Sequence, residues 1–158
     1  MKRYLILSLF PFMANAATIG NITLTGLIPA NRSISVSPQG SYSNLDLVGN
    51  TTNSNYLIAN VQEKSNALTG YKVTLSSLNS GKLMRAGSVT EFLAYTATYN
   101  GAAVTLSSTA VIVTNVTSQT SVVNTTKPLR ITYTAFSDPS DVLEATYSDT
   151  LTFTISAP

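Results

Sequence analysis

Seven carboxylates are the acids this chain could put to catalytic use: Asp46, Glu63, Glu91, Asp138, Asp141, Glu144 and Asp149. There is no His and no Cys. That removes the commonest zinc sites, thiol nucleophiles and every triad built on an imidazole base. Ser is plentiful, but no G-x-S-x-G elbow occurs. Asp138 and Asp141 flank a Pro-Ser turn and could hold Ca²⁺ or form a glycosidase pair; capping the turn is the plainer role, because Asp in such loops bonds its own backbone. No pattern marks any acid as buried or paired, so the expectation is a protein with no catalytic residues, no metal and no cofactor. Tyr95, Tyr99 and Tyr133 could line a sugar platform, but their alternating inward positions suit a core. Five N-x-S/T triplets begin at Asn21, Asn31, Asn50, Asn115 and Asn124, and read as the by-product of a Thr/Ser/Asn-rich composition.

The chain that must position these groups opens on an address. Lys2-Arg3 precedes an apolar run, Tyr4–Met13, and then Ala14-Asn15-Ala16, a small-x-small site. This order is that of a secretory signal peptide, 1–16, cut after Ala16, and the run is too short to span a bilayer. Without Lys2 and Arg3, seven basic residues face seven acidic ones, so the sequence pI of about 8.9 owes much to the leader. A neutral surface with few charges argues against nucleic acid, whose phosphates need a basic patch.

What remains is an alphabet of Thr, Ser, Val, Leu, Ala and Tyr, which favours strands. Ser33–Ser37 alternates with Ile34 and Val36 on one face. Leu45 and Leu47 give a second short alternation. Asn55–Gln62 places Leu57, Ala59 and Val61 inward, and Glu63–Thr69 reads as a polar loop. Gly70–Ser77 is a clean strand with Tyr71, Val73 and Leu75 inward. Glu91–Tyr99 follows, with Leu93, Tyr95, Ala97 and Tyr99 inward. Asn100-Gly101 is a type I′ hairpin signal, and Ala103–Leu106 is its return strand. Val111 and Val113 mark another strand, and Val116–Thr126 reads as a loop. Pro128–Ala135 alternates with Leu129, Ile131, Tyr133 and Ala135 on one face, and Tyr147–Ile155 closes the chain as one strand. Short strands at regular spacing, with no helical period, predict an all-β antiparallel sandwich or barrel.

One stretch stands apart. Asn21–Ile28 carries Ile22, Leu24 and Ile28 on one face with Gly26 between them, and Pro29 stops it. Such a ribbon either joins its own sheet or is lent to a neighbour.

The strings Val61-Gln62-Glu63-Lys64-Ser65-Asn66, Gly70–Ser77, Asn79-Ser80-Gly81-Lys82-Leu83, Tyr95–Gly101 and Thr146–Ile155, in that order, resemble chaperone–usher pilus subunits, in particular the archaic group with the spore-coat-U-like domains. The resemblance implies an incomplete immunoglobulin-like antiparallel β-sandwich completed by donor-strand exchange. It implies a donor extension, 17–30, whose ribbon is Ile22, Leu24, Gly26 and Ile28. It implies an acceptor groove bordered by Ile34 and Val36 and by Leu151, Phe153 and Ile155, in a domain spanning 31–158. The implied partners are identical or related subunits, a periplasmic chaperone and an outer-membrane usher. The implied place is the cell surface, as a fimbrium supporting adhesion or biofilm formation. The resemblance departs at Asn31-Arg32, where such subunits often carry a Cys. Strand exchange itself uses no thiol. Three buried aliphatic side chains at about 1.5–3 kcal/mol each would supply roughly 5–9 kcal/mol to such a joint. A sugar-binding module, secreted or at a fibre tip, and a surface or spore-coat protein that does not polymerise are the other readings the sequence leaves open.

Overall fold

The computed structural model describes residues 22–40, 42–49 and 51–158. The leader 1–16, and residues 17–21 of the extension, lie outside them.

The described chain is all-β. Its strands are β1 (Arg32–Pro38), β2 (Thr52–Ser65), β3 (Tyr71–Ser77), β4 (Lys82–Arg85), β5 (Phe92–Tyr99), β6 (Ala102–Val104), β7 (Val111–Val116), β8 (Val123–Thr134), β9 (Tyr147–Ser148) and β10 (Leu151–Ser156). The larger sheet runs β1-β2-β8-β5-β4-β9, with β6 beside β5; the smaller runs β10-β3-β7. All strand pairs are antiparallel. The two sheets face each other across one core. Ala59, Val61, Leu93, Tyr95, Ala97, Tyr99, Leu129, Ile131 and Tyr133 come from the larger sheet, and Leu75, Val113, Leu151 and Phe153 from the smaller. This layering is that of a β-sandwich.

The cleanest alternations behave as expected. Tyr71, Val73 and Leu75 are buried, as are the inward residues of β5 and β8. Asn100 (φ 50°) and Gly101 (φ 83°) both take positive φ at the β5–β6 turn, as a type I′ hairpin requires. Gly70 is obligatory for a second reason. Its φ is 79°, and a Cβ there would sit 1.8 Å from the Val116 carbonyl oxygen. The loop entering β3 thus lies directly on the end of β7.

Several boundaries depart from the sequence reading. Leu45 and Leu47 pack against the core from an irregular loop, with only a bridge from Val48 to Phe136 beside them. In β2 a register shift between Leu57 and Ala59 exchanges the inward set: Tyr56 and Ile58 pack on the core before it, and Ala59 and Val61 after it. β2 runs on through Glu63 and Ser65, both buried, where a polar loop was expected. β8 starts at Val123 and carries Pro128 in its interior. The Pro128 carbonyl accepts from Asn100 N (2.9 Å). The missing N–H therefore lies on the same flank, at the end of β5, where proline costs the sheet at most one terminal bond. The closing strand is two strands. β9 pairs with β4 in the larger sheet, and β10 pairs with β3 in the smaller, so the chain changes sheet at Asp149-Thr150.

Candidate functional site

The two sheets leave a pair of free edges side by side. β1 pairs only with β2, and β10 only with β3; among the described residues no ladder joins β1 to β10, although their Cα atoms approach within 8 Å. Of the residues expected to border a groove, Ile34, Leu151 and Phe153 are half-buried and pack against the core. Ile155 is half-buried beside them, and Val36 is 46% exposed. Phe153 is anchored by Tyr99, ring centroids 5.3 Å apart. Beneath Val36 and Leu151 the core opens into a cavity of about 190 Å³, lined also by Ile58, Leu83 and Ile131. Apolar side chains beside two unpaired edges form an adhesive site for an extended apolar segment.

The N-terminal ribbon does not occupy that site. Residues 22–31 form no strand in the single chain, and Asn21, the first residue of the expected ribbon, lies outside the described residues. Ile22, Leu24, Leu27 and Ile28 are each at least 85% exposed, and a Cβ at Gly26 would meet nothing within 4 Å. An isolated strand has no partner for its peptide groups, so without a sheet edge this alternating pattern stays irregular.

The root of the ribbon, in contrast, is fixed. The Asn66 side chain donates from Nδ2 to Pro29 O (3.2 Å) and accepts at Oδ1 from Asn31 N (2.5 Å). Asn66 N also donates to Asn31 O (3.1 Å). Arg32 then donates to Gly70 O and Thr69 Oγ1, both at 2.9 Å.

At the same end of the sandwich lies the group that sequence reasoning missed. Glu63 is fully buried, which overturns its reading as a lone loop acid. Lys127 Nζ lies 2.8 Å from Oε2 and itself donates to Thr114 Oγ1. Tyr71 OH donates to Oε2 (2.9 Å), and Tyr99 OH (2.6 Å) and Thr114 Oγ1 (2.9 Å) donate to Oε1. Thr114 reaches inward because the β3–β7 register shifts between Val73 and Thr74, turning Val113 and Thr114 to the same side. Burial alone would push the Glu63 carboxyl up. The Lys127 ammonium and the three hydroxyls outweigh it and hold the pKa below the usual value. The phenols pay in the opposite direction. Burial and then the Glu63 charge push Tyr71 up to about 12, and the same causes raise Tyr99 further.

Two further acids are also engaged. Asp149, at the crossing between sheets, accepts from Ser77 Oγ (2.5 Å), Tyr95 OH (2.6 Å) and Asn79 N (2.9 Å). Glu91 accepts from Tyr147 OH, Leu143 N (3.0 Å) and Arg85 Nε (2.6 Å); these bonds, Tyr147 first, hold its pKa down. Asp138 caps its turn through Ser140 N (2.8 Å). Each of these carboxylates ties strands or turns together, and Asp149 does so from the wall of the cavity beneath Val36 and Leu151.

Tyr95, Tyr99 and Tyr133 are all buried, so they form core and present no platform to a sugar. Among the described residues no three acids, His or Cys converge as a metal site, and no helix is long and apolar enough to cross a membrane. No family model and no curated protein matches the chain.

Proposed function

We propose that this protein is a structural subunit of a bacterial surface pilus, assembled by donor-strand exchange. On this reading the sandwich is immunoglobulin-like and incomplete. The ribbon of one copy, Ile22, Leu24, Gly26 and Ile28, fills the groove of the next, between Ile34 and Val36 on one side and Leu151, Phe153 and Ile155 on the other. One observation carries the reading: among the described residues two neighbouring sheet edges lack partners, while an apolar ribbon of the same chain is exposed and unpaired.

Strand directions support an open chain of subunits. β1 starts, and β10 ends, at the end of the sandwich where the ribbon is rooted, since Arg32 lies opposite Ser65 and Ser156 opposite Lys72. A ribbon entering a second copy at its far end, by Pro38 and Leu151, runs antiparallel to β10. The contact is head-to-tail, the kind of interface from which a filament is built when the rotation between copies does not close a ring. Before assembly the open groove needs protection from aggregation. A periplasmic chaperone and an outer-membrane usher are the partners this entails, with export through the periplasm to the cell surface.

The test is deletion of residues 17–28. The intact chain from Ala17 should give ladders on an unboiled gel, and the deletion should run as a monomer that an added peptide of residues 17–30 binds. Ladders from the deletion equal to those of the intact chain would refute the proposal.

A further inference from the structure

We propose that Asn66 is a positioning residue for strand exchange: its side-chain amide holds the root of the extension open, so that the ribbon is lent to a second copy and kept out of its own groove. The inference rests on the strand-exchange reading above.

A free ribbon has two possible acceptors. Its own groove is the nearer, because β1 begins at Arg32, immediately after the root. To fill it, the chain would have to double back before Arg32 and lie antiparallel along β1. A tight reversal there needs positive φ at its central residues and a closing bond between the flanking peptide groups. Neither is at hand. No residue from Pro29 to Asn31 has positive φ, and proline holds φ near −65°. Asn66 has already taken the groups a reversal would use, with Pro29 O on Nδ2 and Asn31 N on Oδ1. Arg32 pins the first residue of β1 to the same loop through Gly70 O and Thr69 Oγ1. Beyond this clip the described ribbon is exposed, as Ile22, Leu24, Leu27 and Ile28 show.

Asn suits the place because the clip needs one donor and one acceptor on a short side chain. Aspartate would keep the bond from Asn31 N and set an oxygen against Pro29 O. Alanine would lose both bonds.

The experiment uses the chain from Ala17, unfolded in denaturant and diluted into native buffer, with polymer and monomer separated by size. A synthetic peptide of residues 17–30 is the probe. Wild type should polymerise, and excess peptide should block it. Asn66→Ala and Asn66→Asp should each raise the ratio of monomer to polymer about tenfold, the factor that the loss of one or two such bonds corresponds to. Those monomers should fail to bind the peptide, because their grooves are self-filled. Variants that partition as wild type does, while the peptide still blocks all three, would overturn the role of Asn66 and leave strand exchange standing. Wild-type polymer that the peptide cannot block would refute strand exchange itself. Should neither variant fold, amide exchange in the peptide-saturated wild-type monomer decides. The Asn31 amide should exchange at least about tenfold more slowly than those of Thr25 and Leu27, and equal rates would overturn the clip.

Discussion

Replacing Lys127 by Met leaves the Glu63 carboxylate without the cation that pairs with it. The ammonium lies 2.8 Å from Oε2, and the two side chains are 17% and 0% exposed, so water cannot take its place. Breaking a buried pair by removing one partner costs about 3–5 kcal/mol. Three hydroxyl donors remain, from Tyr71, Tyr99 and Thr114, which places Lys127→Met near the low end, about 3 kcal/mol at pH 7. With a urea m-value of about 1–3 kcal/mol/M, the unfolding midpoint should fall by roughly 1–3 M. The pH dependence is the sharper signature. In wild type the folded pKa of Glu63 is depressed, so its contribution is present above the unfolded value of about 4.3 and is lost as pH falls through the folded pKa. In Lys127→Met burial dominates and raises the folded pKa. The contribution is then present below about pH 4.3 and is lost as pH rises towards the new folded value. The gap between wild type and variant should therefore widen from pH 4 to pH 7. Adding Glu63→Gln should restore part of the loss, because the orphaned charge is gone. Urea titrations of the peptide-filled monomer at both pH values measure all of this. A variant within about 0.5 kcal/mol of wild type at pH 7, or a gap that narrows as pH rises, would refute the electrostatic account.

The glycines make a paired prediction. Gly101→Ala should cost only the left-handed backbone penalty, about 1–2 kcal/mol, since its Cβ would meet nothing within 4 Å; Gly70→Ala should cost markedly more, because its Cβ collides with Val116 O, and the two urea midpoints compare them. Asp149→Ala strips the acceptor from Ser77, Tyr95 and Asn79 where β9 passes to β10, and should destabilise by about 2–4 kcal/mol with faster amide exchange along β10. Tyr71, Tyr95 and Tyr99 have raised folded pKa values, so the stability they lend is complete below about pH 10 and is lost above it. Native protein at pH 11 should show these phenols still un-ionised by ultraviolet absorbance, and they should ionise together with unfolding.

The layer architecture was legible in the chain because alternation is local. Tyr71-Val73-Leu75, Leu93-Tyr95-Ala97-Tyr99 and Leu129-Ile131-Tyr133-Ala135 each declare their buried face within one strand, and Asn100-Gly101 declares its turn. The places where reading failed are those where a partner distant in sequence decides. A register shift moved the inward set of β2 by one residue, and Tyr147–Ile155 divides between two sheets at Asp149, the one charged residue on its otherwise apolar face. The free edges of β1 and β10 follow from which strands pair, and no composition encodes that.

The amino-acid order by itself determined an all-β chain, the inward face of its regular strands, the apolar ribbon at Ile22–Ile28 and the lack of His and Cys chemistry. Tertiary structure alone decided that Glu63 is buried beneath Tyr71, Tyr99, Thr114 and Lys127, and that Asn66 clips residues 29–31. The reason is physical. Burying an apolar face needs only a period, which a strand carries in itself, whereas a buried charge or a bonded side-chain amide needs specific partners, and here they arrive from strands and loops up to 64 residues away, as with Glu63 and Lys127.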